Sequence, residues 1–295
     1  MKLGLFSVSY AGLWGQARLS VEEFIARAAA LGFQGVLLMA KRPHASPLDL
    51  DKARLRKIKA ALASRAVECF GLACYNDILL AGPAEVPVRE MQLLYIERCA
   101  ALCAELGGTL LRVFTAYAPA RPSAEDAWGA VAAFLREAGE KAARYGVRLA
   151  VQNHHDLAVD TAAMAQLLDD VGSPNVRAGY DAWSPFLRGE DLQRGARLMA
   201  GRAILTIAAN YRVFPRYSYV PEQVNYRREQ PDVVRACSMQ DGAIDYRSFF
   251  KGLAEGGYDG PVVYEMCSPV EGGPSPENLD AKASAFLAYM KEALG

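Results

Sequence analysis

The sequence lacks several features that would assign it to common functional classes. Its 33 basic and 33 acidic residues balance, so it has no basic surplus for general binding to nucleic acid or anionic membranes. No uncharged apolar run approaches the roughly 18 residues that a membrane span needs. The apolar run at the start, MKLGLF, is too short for a secretory signal. We therefore expect neither nucleic-acid nor membrane partners.

The six cysteines form no CxxC pair, which argues against a zinc ribbon or a thioredoxin-like redox motif. Cys99 and Cys103 lie one turn apart in an apolar segment that is predicted to be helical. This spacing favours buried free thiols, and free thiols indicate a reducing, cytoplasmic compartment.

Neither GxGxxG nor GxxxxGK[ST] follows the first predicted strand, which disfavours a nucleotide-binding doubly wound sheet. Instead, short apolar runs alternate with long amphipathic runs. The predicted strands cover residues 2–7, 35–39, 67–72, 110–114, 148–152, 176–180, 203–208 and 261–265. The predicted helices cover residues 20–31, 50–64, 88–106, 123–145, 161–171, 192–200, 246–255 and 276–294.

This alternation predicts an α/β fold, because strictly alternating strands and helices form a parallel sheet with the helices outside. Eight such units in 295 residues match the size at which the sheet closes into a (β/α)8 TIM barrel. We expect a single TIM-barrel domain over residues 1–295, with an open doubly wound sheet as the rival arrangement.

The interval after strand seven is unusually long, covering residues 209–245. It is rich in tyrosine and arginine, including Arg216 and Tyr217. Long loops without regular structure are usually functional or disordered. We interpret this one as a lid over a substrate, with a surface loop or a subunit contact as the alternative.

Polar side chains follow most of the predicted strands, and in a barrel these strand ends carry the chemistry. Taken singly, each has an ordinary explanation, such as a turn-capping aspartate or a buried histidine with satisfied hydrogen bonds. Taken together, they lie on one rim. The candidates are Tyr10, Lys41, Arg42, Arg112, Gln152, His154, His155, Asp181, Trp183, Asn210 and Glu265.

Several motifs resemble the xylose isomerase-like TIM-barrel family, which includes sugar phosphate isomerases and epimerases and inosose dehydratase. The resemblance covers essentially the whole chain. It is carried by AVQNH on strand five, GYD at Asp181, GAIDY before the last unit, and GYDG leading into VYE at Glu265. It implies the barrel fold, but one fold hosts many reactions.

The resemblance also implies a divalent metal held by Glu, Asp, His and Glu after strands five to eight. Asp181 and Glu265 match this pattern, whereas Gln152 replaces the first glutamate and Thr206 falls where the histidine is expected. Two carboxylates, an amide and water are still compatible with a weak Mg²⁺ or Mn²⁺ site made by Gln152, Asp181 and Glu265.

The implied chemistry is proton abstraction next to a carbonyl, and Gln152 has no pKa suited to that task. We therefore expect Glu265 to act as the base, with His154 or His155 as its partner. Isomerisation, epimerisation or dehydration of a sugar, polyol or keto-sugar is the expected reaction. Lys41, Arg112 or Arg216 would stabilise an oxyanion. The other substrate-binding candidates are Tyr10, Arg42, Trp183, Asn210 and Tyr217.

The alternative hypothesis is a metal-free barrel that binds a sugar or serves as an accessory subunit without turnover. A third possibility, a DNA-repair endonuclease of the same fold, needs a histidine-rich metal cluster, and the chain has three histidines. Apolar residues such as Leu13 and Trp14 leave a homo-oligomer open, and recognition of a phosphate is equally open.

Overall fold

The computed structural model describes residues 1–80, 82–83, 85–116, 124–154 and 157–294. Its strands are β1 (Lys2–Phe6), β2 (Gly35–Met39), β3 (Glu68–Ala73), β4 (Leu110–Val113), β5 (Arg148–Gln152), β6 (Val176–Gly179), β7 (Ala203–Ala208), β8 (Asn210–Val220), β9 (Asn225–Cys237) and β10 (Pro261–Tyr264). All of them except β8 and β9 form a closed barrel in the order β1-β10-β7-β6-β5-β4-β3-β2, which confirms the predicted fold.

The barrel is parallel throughout and closes where β1 pairs with β10, from Lys2 opposite Pro261 to Leu5 opposite Tyr264. The helices are α1 (Val21–Leu31), α2 (Lys52–Arg65), α3 (Val88–Glu105), α4 (Ala124–Ala143), α5 (Thr161–Val171), α6 (Trp183–Leu187), α7 (Leu192–Met199), α8 (Tyr246–Glu255) and α9 (Pro276–Leu294). No helix among the described residues combines the length and the apolar character needed to span a membrane.

Local sequence signals explain where these helices begin and end. Ser20 and Glu23 form the predicted capping box at the start of α1, and Gly32 ends this helix with φ of 96°. Cys99 and Cys103 are buried free thiols, as the sequence predicts.

Apolar side chains fill the barrel interior and leave only its carboxyl end polar. Phe6, Leu37, Leu110, Leu205 and Val263 belong to this interior layer. The Phe70 ring lies among them and fits because the neighbouring strands carry glycine beside it. A Cβ atom on Gly4 would lie 2.6 Å from this ring, and a Cβ atom on Gly35 would lie 2.4 Å from it. The packed interior leaves the carboxyl end as the place for buried polar groups.

The expectation of a loop without regular structure after β7 is wrong. β8 begins two residues after β7 ends and pairs with β9 as an antiparallel hairpin, from Asn210 opposite Cys237 to Val220 opposite Asn225. The tyrosines that, with the arginines, suggested a lid are also residues with high β propensity, and antiparallel pairing satisfies the backbone groups of the segment.

Asn210 fixes the base of this hairpin. Its Nδ2 donates to the carbonyls of Met239 (2.7 Å) and Ile244 (3.0 Å), and its Oδ1 accepts from the backbone N–H groups of Tyr211 and Ile244. The side chain is 1% exposed, and a Cβ on Gly242 would lie 2.1 Å from it. Every hydrogen-bonding group of this side chain is therefore used within the protein.

We expect Asn210→Ala to lower the free energy of unfolding by about 3 kcal/mol, because several buried backbone groups lose their partner. Urea unfolding measures the change. Asn225→Ala at the exposed hairpin turn is the matched control and should change stability by less than about 0.5 kcal/mol. Equal effects of the two substitutions would contradict the anchoring role of Asn210.

Candidate active site

Three polar side chains meet at the carboxyl end of the barrel. Gln152 is the last residue of β5, Asp181 follows β6 by two residues, and Glu265 follows β10 directly. The Glu265 N–H donates to the carbonyl of Ala208 at 3.0 Å, which continues the barrel ladder past β10. The barrel therefore brings together the three residues that the sequence suggests as metal ligands.

Asp181 is held by hydrogen bonds on all sides. Asn153 binds its backbone, accepting from the Asp181 N–H at 2.7 Å and donating to its carbonyl at 3.0 Å. The Nε2 of Gln152 donates to carboxylate Oδ2 at 2.7 Å, and the Trp183 N–H donates to Oδ1 at 3.3 Å. Asp181 therefore has a fixed orientation although it lies in a loop.

The two carboxyl groups have raised pKa values. Burial, reinforced by repulsion from Glu265, raises the pKa of Asp181 to about 7, although hydrogen bonds from Gln152 and backbone N–H groups oppose the shift. Burial also raises the pKa of Glu265, and Cys267 and Arg112 oppose that shift. Carboxyl groups that titrate closer to neutral pH are suited to proton transfer.

Cys267 and Tyr211 extend this acidic side of the site, and sequence reasoning missed both. The Cys267 Sγ lies 2.6 Å from the Tyr211 hydroxyl, and the thiol also hydrogen-bonds Glu265. The pKa of Cys267 is raised by burial and by the nearby Glu265 and Asp181, so this side chain stays a neutral thiol. Its position two residues after Glu265 was the one available sequence signal.

The opposite side of the barrel mouth is cationic and aromatic. Arg112 is 2% exposed, and its guanidinium carbon lies 3.9 Å from the ring centre of Phe114 and 4.8 Å from that of Tyr75. Lys41 Nζ lies 3.7 Å from the Tyr75 ring centre. Burial, followed by repulsion from Arg112, lowers the pKa of Lys41.

Two other predicted residues border the site. His154 packs against Phe114, with 6.0 Å between ring centres. Trp183 stacks near Tyr211 with 4.5 Å between ring centres, so the base of the hairpin contributes to the wall of the site. His155, the alternative partner for the base, lies outside the described residues.

The structure does not bring Tyr10, Arg42 or Asn210 to this cluster. The Tyr10 hydroxyl donates to Asp280 of α9 at 2.8 Å, in the layer between barrel and helices. Arg42 is exposed and forms a bidentate salt bridge with Asp49, in which Nε and Nη2 each donate to a carboxylate oxygen at 2.7 Å. Asn210 is occupied at the hairpin base, as described above.

Arg216 and Tyr217 lie farther out on the hairpin. The Arg216 Nη1 donates to the Pro231 carbonyl at 3.4 Å on the neighbouring strand. Tyr217 is 59% exposed, and its ring centre lies 5.6 Å from the guanidinium carbon of Arg228. Their contacts in this structure are within the hairpin rather than with the acidic cluster.

Thr206 does not face the barrel interior. It pairs with Val262, which belongs to the outer layer, whereas the next pair, Ile207 and Val263, lies inside. Strand residues alternate between the two faces, so Thr206 is turned away from the interior and its inward-facing neighbour on β7 is the aliphatic Ile207.

The remaining donors do not fit the four-ligand metal site that the family resemblance implies. Gln152 directs an N–H towards Asp181, and β7 offers an aliphatic side chain. Among the described residues, no group of three or more His, Cys, Asp or Glu side chains is arranged to hold a metal ion. We therefore derive no catalytic step through a metal.

A concavity of about 1090 Å³ lies at the other end of the barrel, where Lys2, Phe70 and Arg148 line it. Reactive groups in TIM barrels lie at the carboxyl ends of the strands, and the buried acids of this chain lie there too. We therefore place the candidate active site at the mouth that holds Asp181 and Glu265.

Solved structures with the same fold include three sugar epimerases. D-psicose 3-epimerase with D-tagatose from Clostridium cellulolyticum H10 is 16% identical, with a TM-score of 0.79 and coverage of 100% of this chain and 99% of that chain. L-ribulose 3-epimerase is 18% identical, with a TM-score of 0.75 and coverage of 99% and 94%. The apo 3-keto-D-glucoside 4-epimerase from E. coli is 18% identical, with a TM-score of 0.72 and coverage of 99% of both chains.

Comparison with curated protein sequences gives no match. The family model for the xylose isomerase-like TIM barrel, in contrast, matches residues 25–290. The chain therefore belongs to the xylose isomerase-like TIM-barrel family.

Proposed function

We propose that this protein is an enzyme that abstracts a proton next to the carbonyl of a keto-sugar or a related sugar or polyol derivative. The observation that carries the proposal is the pair of carboxyl groups at the carboxyl end of the barrel, the buried Asp181 and the half-buried Glu265, both with raised pKa values. The similar solved structures are named as epimerases of ketoses or of a keto-glucoside, which supports this substrate class.

Glu265 is the base in this proposal. It takes the proton from the carbon next to the carbonyl, and the C–H electron pair forms the double bond of an enediol. Asp181, which is largely protonated below pH 7, gives its proton to the carbonyl oxygen. Arg112 is close enough to lower the pKa of Glu265, which favours the ionised form that a base requires.

The enediol then has two outcomes. In isomerisation, Glu265 returns its proton to the former carbonyl carbon while Asp181 recovers a proton from the other hydroxyl group. In dehydration, Asp181 takes back a proton from an enediol hydroxyl group as a carbonyl re-forms and the carbon–carbon double bond shifts by one position. The C–O bond at the next carbon breaks at the same time, and the hydroxyl leaves as water with the Glu265 proton. Epimerisation needs a proton donor on the opposite face, and Gln152 cannot serve there because its amide does not titrate. Isomerisation or dehydration is therefore favoured.

The alternative remains a barrel that binds a sugar without turnover. Gln152 and Thr206 favour this alternative, because they stand where the family resemblance implies a glutamate and a histidine as metal ligands. Exchange of substrate hydrogen with solvent separates the two functions, since binding alone does not break a C–H bond.

We expect Glu265→Gln to reduce incorporation of deuterium from D₂O into ketoses by about 10²-fold or more, because it removes the proton acceptor. NMR of a panel of ketopentoses and ketohexoses measures the incorporation. Glu271→Gln, which alters an exposed ion pair with Arg212, is the matched control and should retain the exchange. No exchange in any ketose with the unmodified protein would support binding without turnover.

The two pKa shifts predict a bell-shaped dependence of kcat/KM on pH. Activity should rise with pH as Glu265 loses its proton, above the usual range for glutamate, and fall above about pH 7 as Asp181 loses its proton. Asp181→Asn should remove the alkaline limb, because an amide stays neutral at all these pH values. Persistence of that limb in the variant would assign it to another group.

Gln152→Glu tests the metal question through binding rather than activity. The substitution places a third carboxyl group beside Asp181 and Glu265, and a divalent cation would relieve the repulsion. We expect the variant to bind Mn²⁺ at least about tenfold more tightly than the unmodified protein in calorimetric titration, a gain of about 1.4 kcal/mol. Equal affinities would show that Gln152 does not limit metal binding.

A further inference from the structure

Arg112 is a buried cation that forms no ion pair with any of the residues that the structure describes. It extends from β4 between Ala73 and Ala150, both of which face the barrel interior. Its Nε and Nη1 are buried and have no hydrogen-bond partner in the structure. Within the described part of the chain, no carboxylate lies within ion-pair distance of its guanidinium.

The surroundings of Arg112 stabilise its charge without supplying acceptors. Aromatic rings of Phe6, Tyr75 and Phe114 lie within 5.8 Å of the guanidinium carbon. Ring faces attract a cation, but a guanidinium carries five N–H donors and no acceptor. A buried charged group with open donors is costly unless a partner binds them. The open donors therefore point to a ligand that supplies the acceptors.

Lys41 adds a second positive charge to the same pocket. Its ammonium contacts the Tyr75 ring that also borders Arg112, and the repulsion between the two cations contributes to the lowered pKa of Lys41. Two adjacent cations and aromatic walls form a subsite that an anion would stabilise. A neutral sugar would leave both charges without a counter-ion in the complex.

A carboxylate fits this subsite better than a phosphate. The planar guanidinium fork matches two oxygens of either anion, so the surroundings of Arg112 decide between them. Phosphate sites in TIM barrels commonly use loops after the seventh and eighth strands, but here β7 leads into the hairpin and β10 leads directly to Glu265. Arg112 is close enough to lower the pKa of Glu265, so an anion bound to Arg112 also lies near this base. A bound phosphate dianion would oppose ionisation of Glu265 more strongly than a bound carboxylate, because it carries more negative charge.

We infer that the substrate is a keto-sugar acid whose carboxylate binds Arg112, with Lys41 as the second cation, while its carbonyl end faces Asp181 and Glu265. This inference rests on the proposed function for the reaction at the acidic side. The anion subsite is tested by ligand affinity alone, so the subsite and the proposed reaction can be disproved independently of each other.

The test compares matched ketoses that differ only at C6. D-Fructose, D-fructuronate and D-fructose 6-phosphate form one set, and D-tagatose, D-tagaturonate and D-tagatose 6-phosphate form the second. Isothermal titration is carried out on the unmodified protein and on Glu265→Gln, which retains the subsite but lacks the base. We expect at least one carboxylate to bind about tenfold or more tightly than its neutral partner in both proteins, and more tightly than its phosphate.

Arg112→Met should abolish this preference and Arg112→Lys should retain part of it. Arg148→Met, at the amino end of β5, is the control that removes an exposed arginine and should keep the preference intact. Thermal unfolding checks the fold, and Arg112→Met should unfold at the same temperature as the unmodified protein or higher, because it removes a buried charge without a counter-ion.

Three results overturn parts of the scheme in distinguishable ways. If no carboxylate binds more tightly than its neutral partner, or if Arg112→Met keeps the preference, the anion subsite is wrong. If a phosphate binds most tightly and loses that advantage in Arg112→Met, the carboxylate assignment is wrong. If a carboxylate binds through Arg112 but no ketose or keto acid exchanges hydrogen with solvent, the subsite stands and the proposed reaction is wrong.

Discussion

The hydrogen bond from Gln152 to Asp181 is the interaction on which the acidic side of the site depends. An acid at position 152 would place a third negative charge within the same buried mouth, and such a cluster needs a cation to be stable. The amide removes that charge and supplies a donor at 2.7 Å instead. Asp181 and Glu265 then share the mouth, and burial raises the pKa of each.

This arrangement separates charge across the barrel. Acids lie at the ends of β6 and β10, whereas Lys41 and Arg112 lie at the ends of β2 and β4. Among the described residues, no ion pair joins these acids to these cations. The ligand-free protein therefore holds both kinds of charge away from water without pairing them, and this lowers its free energy of unfolding. For Asp181, whose pKa is raised in the folded state, this loss of stability develops as the pH rises from the usual pKa of aspartate through about 7. The apolar interior and the helical layer must compensate for it.

The barrel was predictable because its signals are local and repeated. The predicted strands agree closely with those observed, since apolar runs, capping residues and glycines mark each one. Side-chain direction was harder to predict, because it depends on register, and a shift of one residue turns a strand side chain to the other face. β6 and β7 pair with such a shift between Ala178 and Gly179, so the sequence position of Thr206 did not reveal that its side chain faces away from the interior.

Tertiary contacts explain why other residues that the sequence predicted for the site do not lie in it. Asn210 and Tyr10 have the residue types and positions of ligand-binding groups, but the carbonyl of Met239 and the carboxylate of Asp280 engage them. These partners lie far away in sequence, so no local pattern reveals them. Arg112 shows the converse. The alternation of side chains along β4, with Leu110 inside, was enough to place Arg112 inside the barrel, but it could not show that Nε and Nη1 find no partner among the described residues.

The hairpin affects the site through its base rather than through its exposed turn. Asn210 anchors β8 beside β7, and the next residue, Tyr211, carries its ring to Trp183 and its hydroxyl to Cys267. The neutral Cys267 thiol in turn hydrogen-bonds Glu265, and this bond favours the ionised carboxylate that a base requires. The segment that resembles a lid in sequence is therefore connected to the proposed base through its first residues, by contacts from Tyr211 to Cys267 and from Cys267 to Glu265.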